Sequence, residues 1–165
     1  MGRSKRSFDL LMLLWPLGKV QNWTARHPLL GRLVHADVSP DRNRHIIIPV
    51  NRVVSGTESV VLPPAVIDAL VARASRHATL NRCLCRRAEG CHTYSRDLGC
   101  LFLGDAAGQI DPELGRSLAP EEAPADARQA VAWGLVPMIV HAAYDAELLD
   151  IDYDRMLAVC FCCDC

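Results

Sequence analysis

Cysteine is missing from the whole first half of this chain: none of the eight cysteines in 165 residues precedes Cys83. That absence excludes a disulfide-stapled miniprotein, because residues 1–82 carry no staple and are long enough to build a core without one. It also excludes an ordinary domain with scattered buried cysteines. Aromatic residues are sparse, at 5% of the chain. No apolar run approaches the ~20 residues of a membrane span. No nucleotide-binding glycine loop and no G-x-S-x-G elbow occurs, so no catalytic residue is assigned. No block of like charge is long enough for a nucleic-acid arm, and basic and aromatic residues do not interleave. The ferredoxin run C-x-x-C-x-x-C-x-x-x-C is absent, as is the C-x-x-x-C-x-x-C of radical enzymes that use S-adenosylmethionine. Those absences exclude two families without excluding a cluster.

What is there is a chain half hydrophobic in composition, enough for a real core, with a formal charge of −1 that conceals a division. Residues 1–82 hold 12 Lys and Arg against 5 Asp and Glu, whereas residues 83–165 hold 6 against 14. The cysteine-rich half is therefore the acidic half. An acidic surface around a redox centre would steer it toward basic partners, with a strength that falls as salt rises. The division sets the expected organisation. Residues 1–82 form a basic scaffold of helices and strands, and residues 83–165 an acidic, cysteine-rich binding region folded into one unit with it.

The amino terminus is basic at Arg3, Lys5 and Arg6 and then apolar from Leu10 to Leu17. Asp9 interrupts the approach and no A-x-A site follows, so the segment reads as an apolar helix docked on the core, or a short interfacial helix, rather than an export signal. Short helices are expected over residues 8–34, then a polar loop at 36–44. The β-branched run of Ile46, Ile47, Ile48, Val50, Val53 and Val54 predicts a strand with Pro49 at an edge or bulge. Pro63-Pro64 opens a helix in which Val66, Ile67, Leu70, Val71 and Ala74 recur at helical spacing through about His77. Residues 83–104 read as an irregular, ligand-supplying loop, and 105–118 as acidic turns. A helix is expected from about Pro120 to Trp133 and a buried strand from Leu135 to Val140. Residues 145–154 read as acidic and partly loop. The expected fold is α+β, with helices packed on a small sheet and an irregular cysteine-rich metal-binding lobe.

The cysteines fall into two groups: Cys83, Cys85, Cys91 and Cys100, then Cys160, Cys162, Cys163 and Cys165. The second group contains two interleaved C-x-x-C pairs, 160/163 and 162/165. A C-x-x-C turn sets two sulfurs on one side of a tight loop, where both can reach one metal or cluster. Adjacent Cys162 and Cys163 do not suit the same iron. Disulfides, with 105 possible pairings of eight cysteines, would be strained at 160–165, and buried inert thiols do not suit so dense a set. Three further chemistries remain open. Four thiolates per cubane fit one 4Fe-4S cluster drawn from both groups, or two clusters. Eight thiolates also suffice for structural zinc, with His92 or His141 as substitutes, and this predicts a zinc-stabilised interaction module. An exposed 160–165 tail with reactive thiols would instead make a thiol-redox or metal-trafficking protein.

Several of these segments together resemble a known pattern. Cys83-Leu84-Cys85-Arg86, Cys91 and Asp97-Leu98-Gly99-Cys100-Leu101-Phe102-Leu103-Gly104 are followed by Glu121-Glu122-Ala123, Gly134-Leu135-Val136 and Cys160-Phe161-Cys162-Cys163-Asp164-Cys165. The pairing of C-x-C-R with a later C-x-C-C-x-C resembles a set of uncharacterised bacterial and archaeal iron–sulfur proteins, over roughly residues 80–165. The resemblance implies a cluster and redox work, and no substrate. It also implies further cysteine beyond Cys165. The expected function is that of a cytoplasmic electron-transfer protein with a redox protein partner, or a redox subunit of a larger anaerobic enzyme. In such a site Arg86 would offset cluster charge or donate to its sulfides, and Gly99 would let backbone amides approach it. The bland alternative for Arg86 is a surface ion pair with Glu89 or Asp97. His92 reads as a partly exposed histidine and His141 as a satisfied edge histidine.

Overall fold

The computed structural model describes residues 2–17, 20, 24, 42–47 and 63–164. Helix α1 spans Lys5–Leu13 and strand β1 Asn43–Ile47, followed by α2 (Pro63–Arg73), β2 (His77–Leu80), α3 (Leu84–Ala88) and β3 (Leu101–Leu103). A 3-10 turn at Asp105–Gln109 leads to β4 (Gly115–Ser117). Then come α4 (Ala123–Ala132), β5 (Val136–Ala142), α5 (Ala143–Leu149), a second 3-10 turn at Tyr153–Arg155 and β6 (Leu157–Cys162). The fold is α+β. Its six strands lie in the order β1-β5-β6-β3-β2-β4, and every neighbouring pair is antiparallel.

Both faces of the sheet are covered, so the strands feed two cores. Ala78, Leu80, Phe102, Val140, Ala142 and Ala158 face Phe8 of α1, Ala106 and Ala107 of the first 3-10 turn, and Ala146, Leu148 and Leu149 of α5. Leu101, Leu103, Val159 and Phe161 face Ile67 and Val71 of α2 and Ala123, Ala127 and Ala130 of α4. Side chains alternate across each strand, so neighbouring residues serve opposite cores. The three alanines of α4 recur at helical spacing. Without bulk beyond Cβ they let α4 seat close to the sheet. Pro124 is tolerated because it sits in the first turn, where its missing N–H is not needed.

The expected helices at Pro63 and Pro120 are present, trimmed to Pro63–Arg73 and Ala123–Ala132. The amino-terminal helix docks as expected through Phe8, with Leu11, Met12 and Trp15 packed beside it, while Leu10, Leu13, Leu14 and Leu17 point outward. The isoleucine run forms β1 as far as Ile47; the rest of that stretch, through Leu62, lies outside the described residues. Several elements depart from expectation. The stretch read as an irregular loop at 83–104 contains α3 and β3, and the acidic turns at 105–118 contain β4. The segment assigned to the end of α2 breaks after Arg73 and resumes as β2. Residues 143–149 are helical rather than loop. Cys160 and Cys162 belong to strand β6 rather than a terminal turn.

The basic and acidic halves share one sheet. Strands β1 and β2 come from residues 1–82, and the other four strands from residues 83–165. Ion pairs cross between the halves at Arg42–Glu147, Arg87–Asp9 and Arg128–Asp68. Because these pairs are solvent-exposed, they contribute little to stability.

Gly99 fixes how closely the segment before β3 lies on β2. Its N–H donates to the Leu80 carbonyl at 3.2 Å. A Cβ there would stand 2.5 Å from the Leu80 carbonyl oxygen, 2.6 Å from Leu80 Cβ and 3.0 Å from the Arg82 carbonyl oxygen. The first and last of these are backbone atoms and cannot swing away. Gly99→Ala is expected to destabilise the protein by about 1–3 kcal/mol, in the range of an overpacked core. The readout is a lower midpoint in urea unfolding at unchanged slope.

Candidate functional site

The two cysteine groups meet on the sheet face that carries α1 and α5. The β3–β6 register pairs Leu101 with Val159 and Phe102 with Ala158, which sets Cys100 opposite Cys160. The Cys100 thiol donates to Cys160 Sγ at 3.2 Å. Cys162 lies two residues further along β6 and therefore on the same face as Cys160. The intervening Phe161 and the following Cys163 pack into the opposite core. Strand alternation thus replaces the expected C-x-x-C turn: 160 pairs in orientation with 162, not with 163.

Cys83 and Cys85 arrive from α3. Cys83 is the N-cap of that helix, and its sulfur accepts from the Arg86 N–H at 3.4 Å. Buried Cys83 and solvent-reached Cys85 lie near enough to the β-strand cysteines for their charges to be felt mutually. Five thiols, from Cys83, Cys85, Cys100, Cys160 and Cys162, form one group in this sense. Asp145 on α5 joins them and opposes the ionisation of Cys85, Cys100 and Cys160.

Their environment keeps these thiols protonated. Burial, followed by Cys100, Cys83 and Asp145, pushes Cys85 up to about 12. Burial, with Cys100, Cys83 and Cys163, pushes Cys162 up to about 11. For Cys100 the main cause is the hydrogen bond it donates to Cys160, which is lost on ionisation; burial adds to it. That same bond favours ionised Cys160, but burial, Asp145 and Cys162 outweigh it and the net shift is upward. Burial also raises Cys83 against the lowering effect of the Arg86 N–H.

Arg86 is the other half of the site. It is 2% exposed, among the largest fully buried side chains of the described residues. Nη1 donates to the Phe161 carbonyl at 2.7 Å, and Nη2 donates to the Leu98 carbonyl. Nε is buried with no partner among the described residues. No ion pair of Arg86 occurs among the described residues; Asp97 instead stands 4.0 Å from Arg82, and Glu89 accepts from Trp15 Nε1. The surface ion pair is therefore replaced by a buried cation held on neutral carbonyls. It lowers the pKa values of Cys83, Cys100 and Cys162.

The remaining expected residues lie elsewhere. Cys91 is buried and disulfide-bonded, so it is not one of the six free cysteines. Cys163 lies on the other face of β6. Cys165 lies outside the described residues. The absence of a side chain at Gly99 is accounted for by the Leu80 backbone. His92 is exposed, with Nδ1 3.4 Å from Arg96. His141 sits against the Tyr153 carbonyl at 2.9 Å and stacks on that ring, the satisfied edge histidine expected.

Three residues near the thiols escaped the sequence reading: Asp145, Tyr144 and Trp15. Trp15 packs edge-on to Tyr144, with centroids 5.9 Å apart, and Tyr144 feels the charge of Cys85. No local motif marks them; the α1–α5 contact brings them in. Among the described residues, no group of three or more His, Cys, Asp or Glu side chains is arranged to hold a metal ion. A single zinc needs four donors about 2.3 Å from one point, whereas a cluster binds each thiolate at a separate iron, with the sulfurs further apart.

Two measurements probe this arrangement. Arg86→Lys keeps the charge but cannot span both carbonyls; unfolding stability is expected to fall by about 1.5–3 kcal/mol, the worth of a hydrogen bond to a charged group. The raised thiols also set a pH dependence. Below about pH 9, the ordinary value of the unfolded thiol, both states are protonated and the shifts cost nothing. Above it the unfolded chain loses protons that the native state still holds. The melting temperature of reduced, metal-free protein should therefore fall as pH rises from 9 toward 11, and less steeply in a Cys85→Ser/Cys162→Ser variant.

No known family, curated protein or solved structure matches this chain.

Proposed function

We propose that this chain is a cytoplasmic electron-transfer protein, or a redox subunit of a larger enzyme, that holds one iron–sulfur cluster of the 4Fe-4S type. Four thiolates drawn from Cys83, Cys85, Cys100, Cys160 and Cys162 would ligate it. The observations that carry the reading are the contact of Cys100 with Cys160, from segments some sixty residues apart, and a buried Arg86 that has no carboxylate partner among the described residues. Burying an unpaired cation is costly unless an anion answers it. Thiolates on iron supply that anion, and Arg86 would in turn offset their charge. The resemblance of the C-x-C-R and C-x-C-C-x-C segments to iron–sulfur proteins supports the same reading. Among the described residues no helix is long and apolar enough to cross a membrane.

An iron–sulfur cluster supplies one-electron redox chemistry when bound. The chain's own residues govern its uptake. Because burial holds the protons on Cys85 and Cys162, binding must release them, and affinity should increase with pH. Arg86 would stabilise the thiolates formed and raise the potential of the site. Acidic residues of the second half would steer a basic redox partner to the surface, an effect weakened by salt.

Anaerobic reconstitution with iron and sulfide tests the proposal. A brown protein is expected, with broad visible absorption and stoichiometric iron and acid-labile sulfide. A Cys83→Ser/Cys162→Ser variant should lose most of the iron, and Cys163→Ser should keep it. A colourless protein that takes up zinc and no sulfide would overturn the reading in favour of a zinc-stabilised interaction module.

A further inference from the structure

Cys100 directly precedes β3, and extending the antiparallel Leu101–Val159 pairing by one residue sets it opposite Cys160, with the two sulfurs in contact. Facing positions have Cα atoms about 4.5 or 5.5 Å apart, depending on the hydrogen-bonding of the pair. Both values lie inside the range of about 4.4–6.8 Å that a disulfide spans. The diagonal alternative, Cys100 with Cys162, stands at about 7–8 Å and falls outside it. Cys163 is directed to the opposite face.

The backbone is held on both outer sides. Cys160 pairs with Met138 of β5, and the Cys100 carbonyl accepts from the Leu80 N–H at 3.1 Å. The sulfurs are already in contact at 3.2 Å, and both residues keep partial solvent exposure. A bond between them asks the sulfurs to close from 3.2 Å to about 2.05 Å.

We propose that Cys100 and Cys160 are a reversible dithiol–disulfide pair, oxidised by small disulfides of the glutathione class. One thiol loses its proton, and its sulfur attacks the small disulfide. That forms a mixed disulfide and releases one small thiol, which takes up the proton. The facing thiol, deprotonated in turn, attacks the protein sulfur of the mixed disulfide and expels the second small thiol. Two electrons pass to the oxidant, and the protein gains one S–S bond. The inference does not depend on cluster binding, although a closed bond would withdraw two of the five thiols from any metal.

Full-length, reduced, iron-free protein is exposed to oxidised glutathione without air, quenched by alkylation, and digested without reduction. Mass spectrometry should find the peptides of Cys100 and Cys160 joined, two hydrogens lighter than their sum. The link should persist in Cys163→Ser and disappear in Cys160→Ser, where Cys100 is recovered alkylated or glutathionylated. Cys100 joined to Cys85 or Cys162 instead would overturn the proposal. So would Cys100 remaining a free thiol in the wild-type protein at oxidant levels that fully oxidise a small dithiol control. With iron absent throughout, neither result bears on whether the protein takes up a cluster.

Discussion

The grip of Arg86 on two backbone carbonyls organises the cysteine-bearing end of this molecule. One guanidinium ties the segment of α3 to the end of β6 through Phe161, and to the approach to β3 through Leu98. Each of those carbonyls belongs to a residue beside or near a cysteine, so the tie sets where the sulfurs stand. A lysine could not do this, because its ammonium is a point donor on a flexible stem, whereas the guanidinium offers divergent donors in a fixed plane. The cost is a desolvated charge with one N–H unanswered among the described residues. The surrounding thiols, kept neutral by the same burial, are the groups best placed to repay it on ionisation.

Around this tie the sheet divides labour between its faces. Leu157, Val159 and Phe161 serve the core under α2 and α4, whereas Ala158 and Cys160 face α1 and α5. A strand covered on both sides can carry structural and chemically reactive residues in strict alternation without sacrificing either. The tight packing at Gly99, the β5 partner of Cys160 and the β3 pairing that ends beside it at Val159 hold the reactive face in place.

Much of this was legible from residue order, and the exceptions have physical reasons. The helices at Pro63 and Ala123 announce themselves through proline at the first turn and apolar residues at helical spacing. Strand β2 is hidden because His77, Ala78, Thr79 and Leu80 are all buried, so the period-two alternation of a half-exposed strand is missing. Helix α5 reads as loop because Asp145 and Glu147 open an acidic stretch, although Ala143, Ala146, Leu148 and Leu149 are its buried positions. The last cysteines were the hardest to place. Their spacing matches a ligand turn, but cysteine is also a small apolar residue that suits a covered strand, and the pairing of β6 between β5 and β3 prevails. The meeting of the two groups was expected from chemistry alone. Neither the burial of Arg86 nor the proximity of Asp145 could be, since both arise from contacts distant in sequence.

The central position of β6 has a kinetic consequence. With a hydrogen-bonded neighbour on either side, this strand cannot shift register or peel away without dismantling the sheet. Any change of state at Cys160 or Cys162 must then be carried by χ1 rotation of short side chains. Such rotations, even when slowed by packing, need no crossing of an unfolding barrier. The site can therefore exchange between arrangements of its sulfurs on a timescale set by side-chain hopping and proton transfer, while the scaffold around it stays as rigid as the centre of any sheet.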